Sequence, residues 1–154
     1  MSYKFEFVMR YAKEELHGMQ KRVPSRADLD RYFINCGGGY SGYDPTVSWC
    51  GIFACYIMRK AGLRVKWKRY KGIEDLSGGT DMKAIWGREG IALGDVAVRG
   101  SGQHHFILLE TPAKDQRVVY AADGNAMGKY NPMLACGRDG RNILPEVTYY
   151  YRIY

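Results

Sequence analysis

Ser48-Trp49-Cys50-Gly51-Ile52-Phe53-Ala54-Cys55-Tyr56-Ile57-Met58-Arg59-Lys60-Ala61-Gly62-Leu63 reads as one helix that opens on a cysteine and closes on a glycine. Ile52, Phe53, Tyr56, Ile57 and Leu63 fall near the i, i+3/i+4 spacing of a buried face. Arg59 and Lys60 suit the negative end of the helix dipole, and Gly62 stands where the helix should stop. Ser48 is the expected N-cap. Cys50 then lies in the first turn, where free backbone N–H groups and the positive end of the dipole stabilise a thiolate. A nucleophile placed this way needs a base.

Working outward, residues 3–22 suit an amphipathic helix with Phe7, Val8, Tyr11, Leu16 and Met19 as its buried stripe. Ser25 should cap a short helix from Arg26 to Phe33. The run from Asn35 to Pro45, with Gly37-Gly38-Gly39, is a loop by composition and does not match a phosphate-binding P-loop. Residues 81–87 suit a short helix closed by Gly87. Strands are expected from Val96, from His105 to Leu109, from Val118 to Ala122 and from Val147 to Tyr154. Helices come first and an antiparallel sheet follows, an α+β fold in one domain spanning residues 1–154.

The chain has 154 residues and a formal charge of +7, enough length for one domain with a hydrophobic core. No apolar run is long enough to cross a membrane. The N-terminus lacks a signal-peptide core, so the chain is expected to stay in the cytosol or to leave by a route that reads no cleavable signal. The basic run Arg64, Lys66, Lys68, Arg69 and Lys71 is most simply a solvated strand or loop, and otherwise a surface for a polyanion. The four cysteines, at 36, 50, 55 and 136, lack the spacing of a zinc site, so no metal and no cofactor is expected. Cys55 reads as a small core residue, and Cys36 and Cys136 as loop residues able to pair in an oxidising compartment.

A thiol at a helix start, a histidine at a strand start and a polar residue on the next strand make a three-part nucleophilic site. Trp49-Cys50-x-x-Phe53 with Ala61-Gly62, then Gly94-Asp95-Val96-Ala97-Val98 and His105-Phe106-Ile107-Leu108-Leu109, then Asp123-Gly124-Asn125, resembles the CHAP and NlpC/P60 group of papain-like peptidoglycan hydrolases. The match runs from about Trp49 to Asn125. It departs from the group in having Phe106 and Ile107 where a small residue usually follows the histidine. The resemblance implies a papain-like fold, Cys50 as nucleophile and its backbone N–H as oxyanion donor. It also implies a histidine base and Asn125 or Asp123 as its orienting partner. Strand alternation should let only one of the adjacent histidines face the thiol. His105 is favoured because it turns Ile107 toward the cysteine helix, and His104 is the alternative. Trp49, Tyr40 and Tyr43 are the expected substrate contacts, although tryptophans such as Trp49 and Trp86 are more often core than substrate platforms.

The function so implied is cysteine-dependent cleavage of an amide in the peptide stem of peptidoglycan. Either the N-acetylmuramoyl–L-alanine bond or a bond within the stem would be cut. Small size and the absence of wall-binding repeats favour an antibacterial effector over a phage lysin. Such a protein would be secreted without a cleavable signal, would act as a monomer in the periplasm of a target cell, and would be matched by a cognate immunity protein. The alternatives are a papain-like toxin acting on a protein substrate, as protease or deamidase, and a basic module that binds nucleic acid or another polyanion.

Overall fold

In the computed structural model, residues 4–125 and 133–154 are described, except for the side chains of residues 139 and 140. The elements in order are α1 (Lys4–Glu15), β1 (Lys21–Arg22), α2 (Arg26–Asn35), α3 (Cys50–Lys60), β2 (Val65–Lys68) and β3 (Gly72–Asp75). They continue with β4 (Met82–Trp86), β5 (Val96–Arg99), β6 (His104–Leu108), β7 (Val118–Asp123), β8 (Leu134–Ile143), a 3-10 turn (Leu144–Glu146) and β9 (Val147–Ile153). The chain is mixed α+β. Seven strands form one antiparallel sheet in the order β1-β8-β7-β6-β5-β9-β4, and β2 and β3 form a separate hairpin.

Alternation along the strands divides the core in two. Val96, Val98, Ile107 and Ala122 face the helical layer and pack with residues of α1, α2 and α3. Ala97, Phe106, Leu108, Ala121 and Tyr150 line the opposite face with Val119 and Leu144. From Cys50 to Met58 every residue of α3 is buried, which explains an apolar content on all sides of this helix. Its C-terminus turns off through Gly62 at φ 94°. There Gly62 N–H donates to Arg59 O and Leu63 N–H to Met58 O, closing the last turn as left-handed glycine caps do.

Ser25 caps α2 as expected, with a reciprocal bond to Asp28. Other expectations are corrected. The first helix ends at Glu15 and is followed by the short strand β1, while residue 3 lies outside the described residues. Residues 82–86 are a strand, because β9 offers Tyr149 to Ile153 as a pairing partner along their whole length. Tertiary pairing outweighs local propensity there. Trp86 is 81% exposed on this edge strand and is no core residue. Trp49, at 1%, is core.

All four cysteines are free. Cys36 closes α2 rather than lying in a loop, and its thiol donates to Phe33 O. Cys136 lies on β8 and donates to the Tyr120 hydroxyl. Cys55 is fully buried, as expected of a small core residue.

Candidate active site

The helix start at Cys50 is positioned by two glycines that let large rings pass. A Cβ on Gly124 would sit 2.6 Å from the Trp49 ring and 2.8 Å from Phe53 Cβ. Trp49 and Phe53 are one helical turn apart, so together they grip the end of β7 at Gly124. This contact explains both the Trp-Cys-x-x-Phe spacing and the glycine between Asp123 and Asn125. It holds those two polar residues beside the opening turn of α3. A Cβ on Gly51 would lie 2.9 Å from His105 Cε1 and closer still to the Trp67 ring. That glycine therefore lets Trp67 and His105 close over the helix from its other side.

Cys50 is 3% exposed. Its Sγ lies 3.8 Å from His105 Nδ1 and 3.7 Å from Ser48 Oγ. His104 Nε2 lies 2.8 Å from Asp123 Oδ2, both side chains being buried. Asn125 Nδ2 donates to Ser48 Oγ at 3.3 Å. Of the two residues expected to compete for the imidazole, Asp123 binds it and Asn125 binds Ser48. Asn125 adopts φ 55°, a left-handed conformation that asparagine tolerates better than most residues.

Only one histidine was expected to act on the thiol, but both hold its pKa down, and the hydrogen-bond contact at 3.8 Å is with His105 Nδ1. β6 and β7 pair only at Ile107↔Ala122 and Leu108↔Ala121. Ahead of those pairs the two strands no longer share a ladder. His104, the first residue of β6, reaches Asp123 and the thiol there. His105 stays on the helix-facing side with Ile107, as the sequence suggested. Of the two histidines, His104 is the one joined to a carboxylate.

Burial pushes the Cys50 thiol up. Hydrogen bonds from His104 and His105, and the charges of those rings, more than offset it and hold the thiol well below its ordinary value. Burial likewise pushes His104 down, yet Asp123 and the Cys50 sulfur raise it to about 9. The directions agree with a thiolate beside an imidazolium. His105 Nε2 is buried and has no hydrogen-bond partner among the described residues.

Ser48 is not the N-cap. The helix is capped by Trp49 without a side-chain bond, and the Ser48 hydroxyl turns to the sulfur and Asn125 instead. Trp49 is stacked on Tyr32 and walled in under Gly124, so it offers no face to a substrate. Tyr40 and Tyr43 pack edge-on against Phe33 and line a neighbouring cleft that meets the site at Pro45. Asp95 is a turn residue that binds Arg152 and the Ala92 N–H, and His17 is exposed.

The residue that sequence reasoning passed over is Trp67, which meets the His105 ring at 5.7 Å, edge to face. It lies inside the basic run 64–71. Half of that run proves to be strand β2, whose lysines Lys66 and Lys68 lie 4.0 and 3.9 Å from Glu74 on β3. Among the described residues no group of acidic, histidine and cysteine side chains could hold a metal ion, and no helix is long and apolar enough to cross a membrane. No family model matches this chain, and neither any curated protein nor any solved structure does.

Proposed function

We propose that the protein is a cysteine-dependent amide hydrolase of papain-like fold whose substrate is the peptide stem of peptidoglycan. The observation that carries the chemistry is a buried thiol at a helix start, touched by two imidazoles, one of them bonded to a carboxylate. The wall substrate and the papain-like fold rest on the resemblance of Trp49-Cys50-x-x-Phe53, the His104-His105 strand and Asp123-Gly124-Asn125 to the CHAP and NlpC/P60 group.

In this reading Cys50 attacks the amide carbonyl as thiolate, and the carbonyl π electrons move to oxygen. The Cys50 backbone N–H, free at the helix start, donates to that oxyanion. His104 gives its proton to the leaving amine as the C–N bond breaks, which leaves a thioester. It then takes a proton from water, which attacks the thioester and frees the thiol. Asp123 keeps His104 in the required orientation and supports its charge. His105 donates from Nδ1 to the sulfur and holds the thiolate in place. The base assignment passes from His105 to His104 because His104 alone has the carboxylate.

The setting we favour is an antibacterial effector acting on the wall of a target cell as a monomer, with an immunity protein that covers the cleft. The test is digestion of purified peptidoglycan by wild type and Cys50→Ala, with products resolved by mass. Wild type should release defined fragments whose masses name the bond, and the variant none. Equal digestion by both would remove Cys50 from the reaction. No digestion by either would remove the wall as substrate.

A further inference from the structure

Two polar residues beside the thiol have no step in the hydrolysis. Ser48 Oγ lies 3.7 Å from Cys50 Sγ, and Asn125 Nδ2 donates to that same oxygen at 3.3 Å. We propose that Ser48 is a further catalytic residue, the hydroxyl donor to the Cys50 thiolate, and that Asn125 is the positioning residue that aims it. The proposal rests on the nucleophilic role of Cys50.

The protons decide which way the Ser48 contact runs. A hydroxyl has one proton and two lone pairs, whereas an amide nitrogen only donates. Asn125 Nδ2 therefore occupies a lone pair of Ser48 Oγ and leaves its proton available. A thiolate has no proton to give, so the bond between oxygen and sulfur runs from Ser48 to Cys50. Turned over, the amide would present Oδ1, accept the Ser48 proton and take it from the sulfur. A hydrogen bond to the charged form favours that form, and here it adds to the effect of the two imidazoles on the thiol.

The placement of each residue suits this division. Ser48 precedes Trp49, the N-cap of α3, so its hydroxyl is not engaged by the free N–H groups of the helix. It is exposed and borders a cleft of about 390 Å³ together with His104 and Asn125. A serine hydroxyl in such a place rotates freely and exchanges its bonds with water unless a neighbour holds it. Asn125 is that neighbour. It is 7% exposed and follows Gly124, which is packed under Trp49 and Phe53. Its Oδ1 is buried and has no hydrogen-bond partner among the described residues, so the amide's hold on its surroundings is the bond to Ser48. The end of β7 thus serves both halves of the site. Asp123 holds His104, and Asn125, two residues on, holds the donor to the nucleophile.

The test is the rate of Cys50 alkylation by iodoacetamide against pH, read by mass on the whole protein. The charged and titratable groups that face the sulfur or its cleft are His104 and His105 on β6, Asp123 on β7 behind His104, Arg99 on β5 and Arg141 on β8. Every variant keeps them. Ser48→Ala should raise the pH midpoint of the reaction by about one unit, and Ser48→Thr, which returns a hydroxyl, should recover most of that shift. Asn125→Gly removes the amide, and glycine accepts the φ of 55° found there without strain. This change should raise the midpoint when Ser48 is present and leave it unmoved when residue 48 is already alanine, because Asn125 acts through the hydroxyl. An unmoved midpoint in Ser48→Ala overturns the donor and leaves the nucleophile standing. An Asn125→Gly shift of equal size in both backgrounds overturns the positioning role. A wild-type Cys50 with the midpoint of an ordinary thiol overturns the nucleophile and this proposal with it.

Discussion

Asp123→Asn is the substitution that asks most of the proposed site. The change is nearly isosteric and removes only the charge that faces His104 Nε2 at 2.8 Å. His104 is held at about 9 against an ordinary value of 6.5. Burial works against that rise, and the Asp123 hydrogen bond is the largest contribution in its favour. The whole rise corresponds to about 3 kcal/mol. Loss of an opposite charge at hydrogen-bond range moves an imidazole by about one to three pH units. The His104 value in the variant should therefore fall to roughly 7.

Hydrolysis needs the thiolate and the imidazolium together. In wild type the rate should rise as Cys50 ionises and decline on a basic limb near 9. In Asp123→Asn the basic limb should move to near neutrality, and the maximal rate should drop by roughly 10³-fold as the ring loses its orientation. The assay is kcat/KM against pH on wall fragments, paired with the iodoacetamide rate at Cys50 against pH. The second measurement reads thiolate alone and should show a less acidic thiol. A basic limb that stays within half a pH unit of wild type, with the rate preserved, would refute the reasoning.

Two further substitutions probe the parts that hold this pair. His105→Ala removes the Nδ1 donor, and His105→Asn places an amide N–H near the same point. The alanine variant should raise the pH at which Cys50 becomes reactive toward iodoacetamide, and the asparagine variant should recover most of the loss, whereas equal behaviour of the two would make His105 merely a packing residue. Gly124→Ala should destabilise the protein by roughly 1–3 kcal/mol, read as a lower urea midpoint. Its Cβ would enter between Trp49 and Phe53, both at 2% exposure or less. An unchanged midpoint would mean that the grip of these rings on β7 is looser than the geometry implies.

The helix of the nucleophile was legible in sequence because its apolar spacing, terminal cations and Gly62 all pointed one way. So was Ser25 as a cap, since the bond it makes is local. What escaped was decided by distant partners. Residues 82–86 look helical until β9 is beside them. Cys136 reads as a loop residue, yet it lies on β8, which pairs with β7. The choice between His104 and His105 depended on where β6 and β7 stop pairing, which no alternation rule reports. Trp67 looked like an aromatic among lysines because its contact with His105 spans 38 positions of chain. The Asp123-Gly124-Asn125 run was legible as a site, but its division of labour was not. Only the placement of Ser48 beside the thiol shows that Asn125 has a partner other than imidazole.

The protons of Cys50 and His104 also make a prediction about stability. His104 is raised in the folded protein, so on its own it contributes stability that is full below 6.5 and is lost as pH rises through about 9. Cys50 is lowered from 9.0, so on its own it contributes stability present above 9.0 and lost as pH falls through its folded value. Between about 6.5 and 9 the folded protein carries one proton, on His104, and the unfolded chain carries one, on the thiol. The two slopes cancel, and wild-type stability should be nearly flat across that window.

Cys50→Ala removes one side of the balance. Asp123 still favours the His104 proton in the folded state, so stability should now decline as pH rises, with a slope of up to about 1.4 kcal/mol per pH unit. Adding Asp123→Asn should flatten the profile again. The measurement is urea unfolding at several pH values between 6 and 9 for the three proteins. A sloping wild type beside a flat Cys50→Ala would mean that no proton passes from thiol to imidazole when the chain folds, and the thiolate–imidazolium ground state would be lost with it.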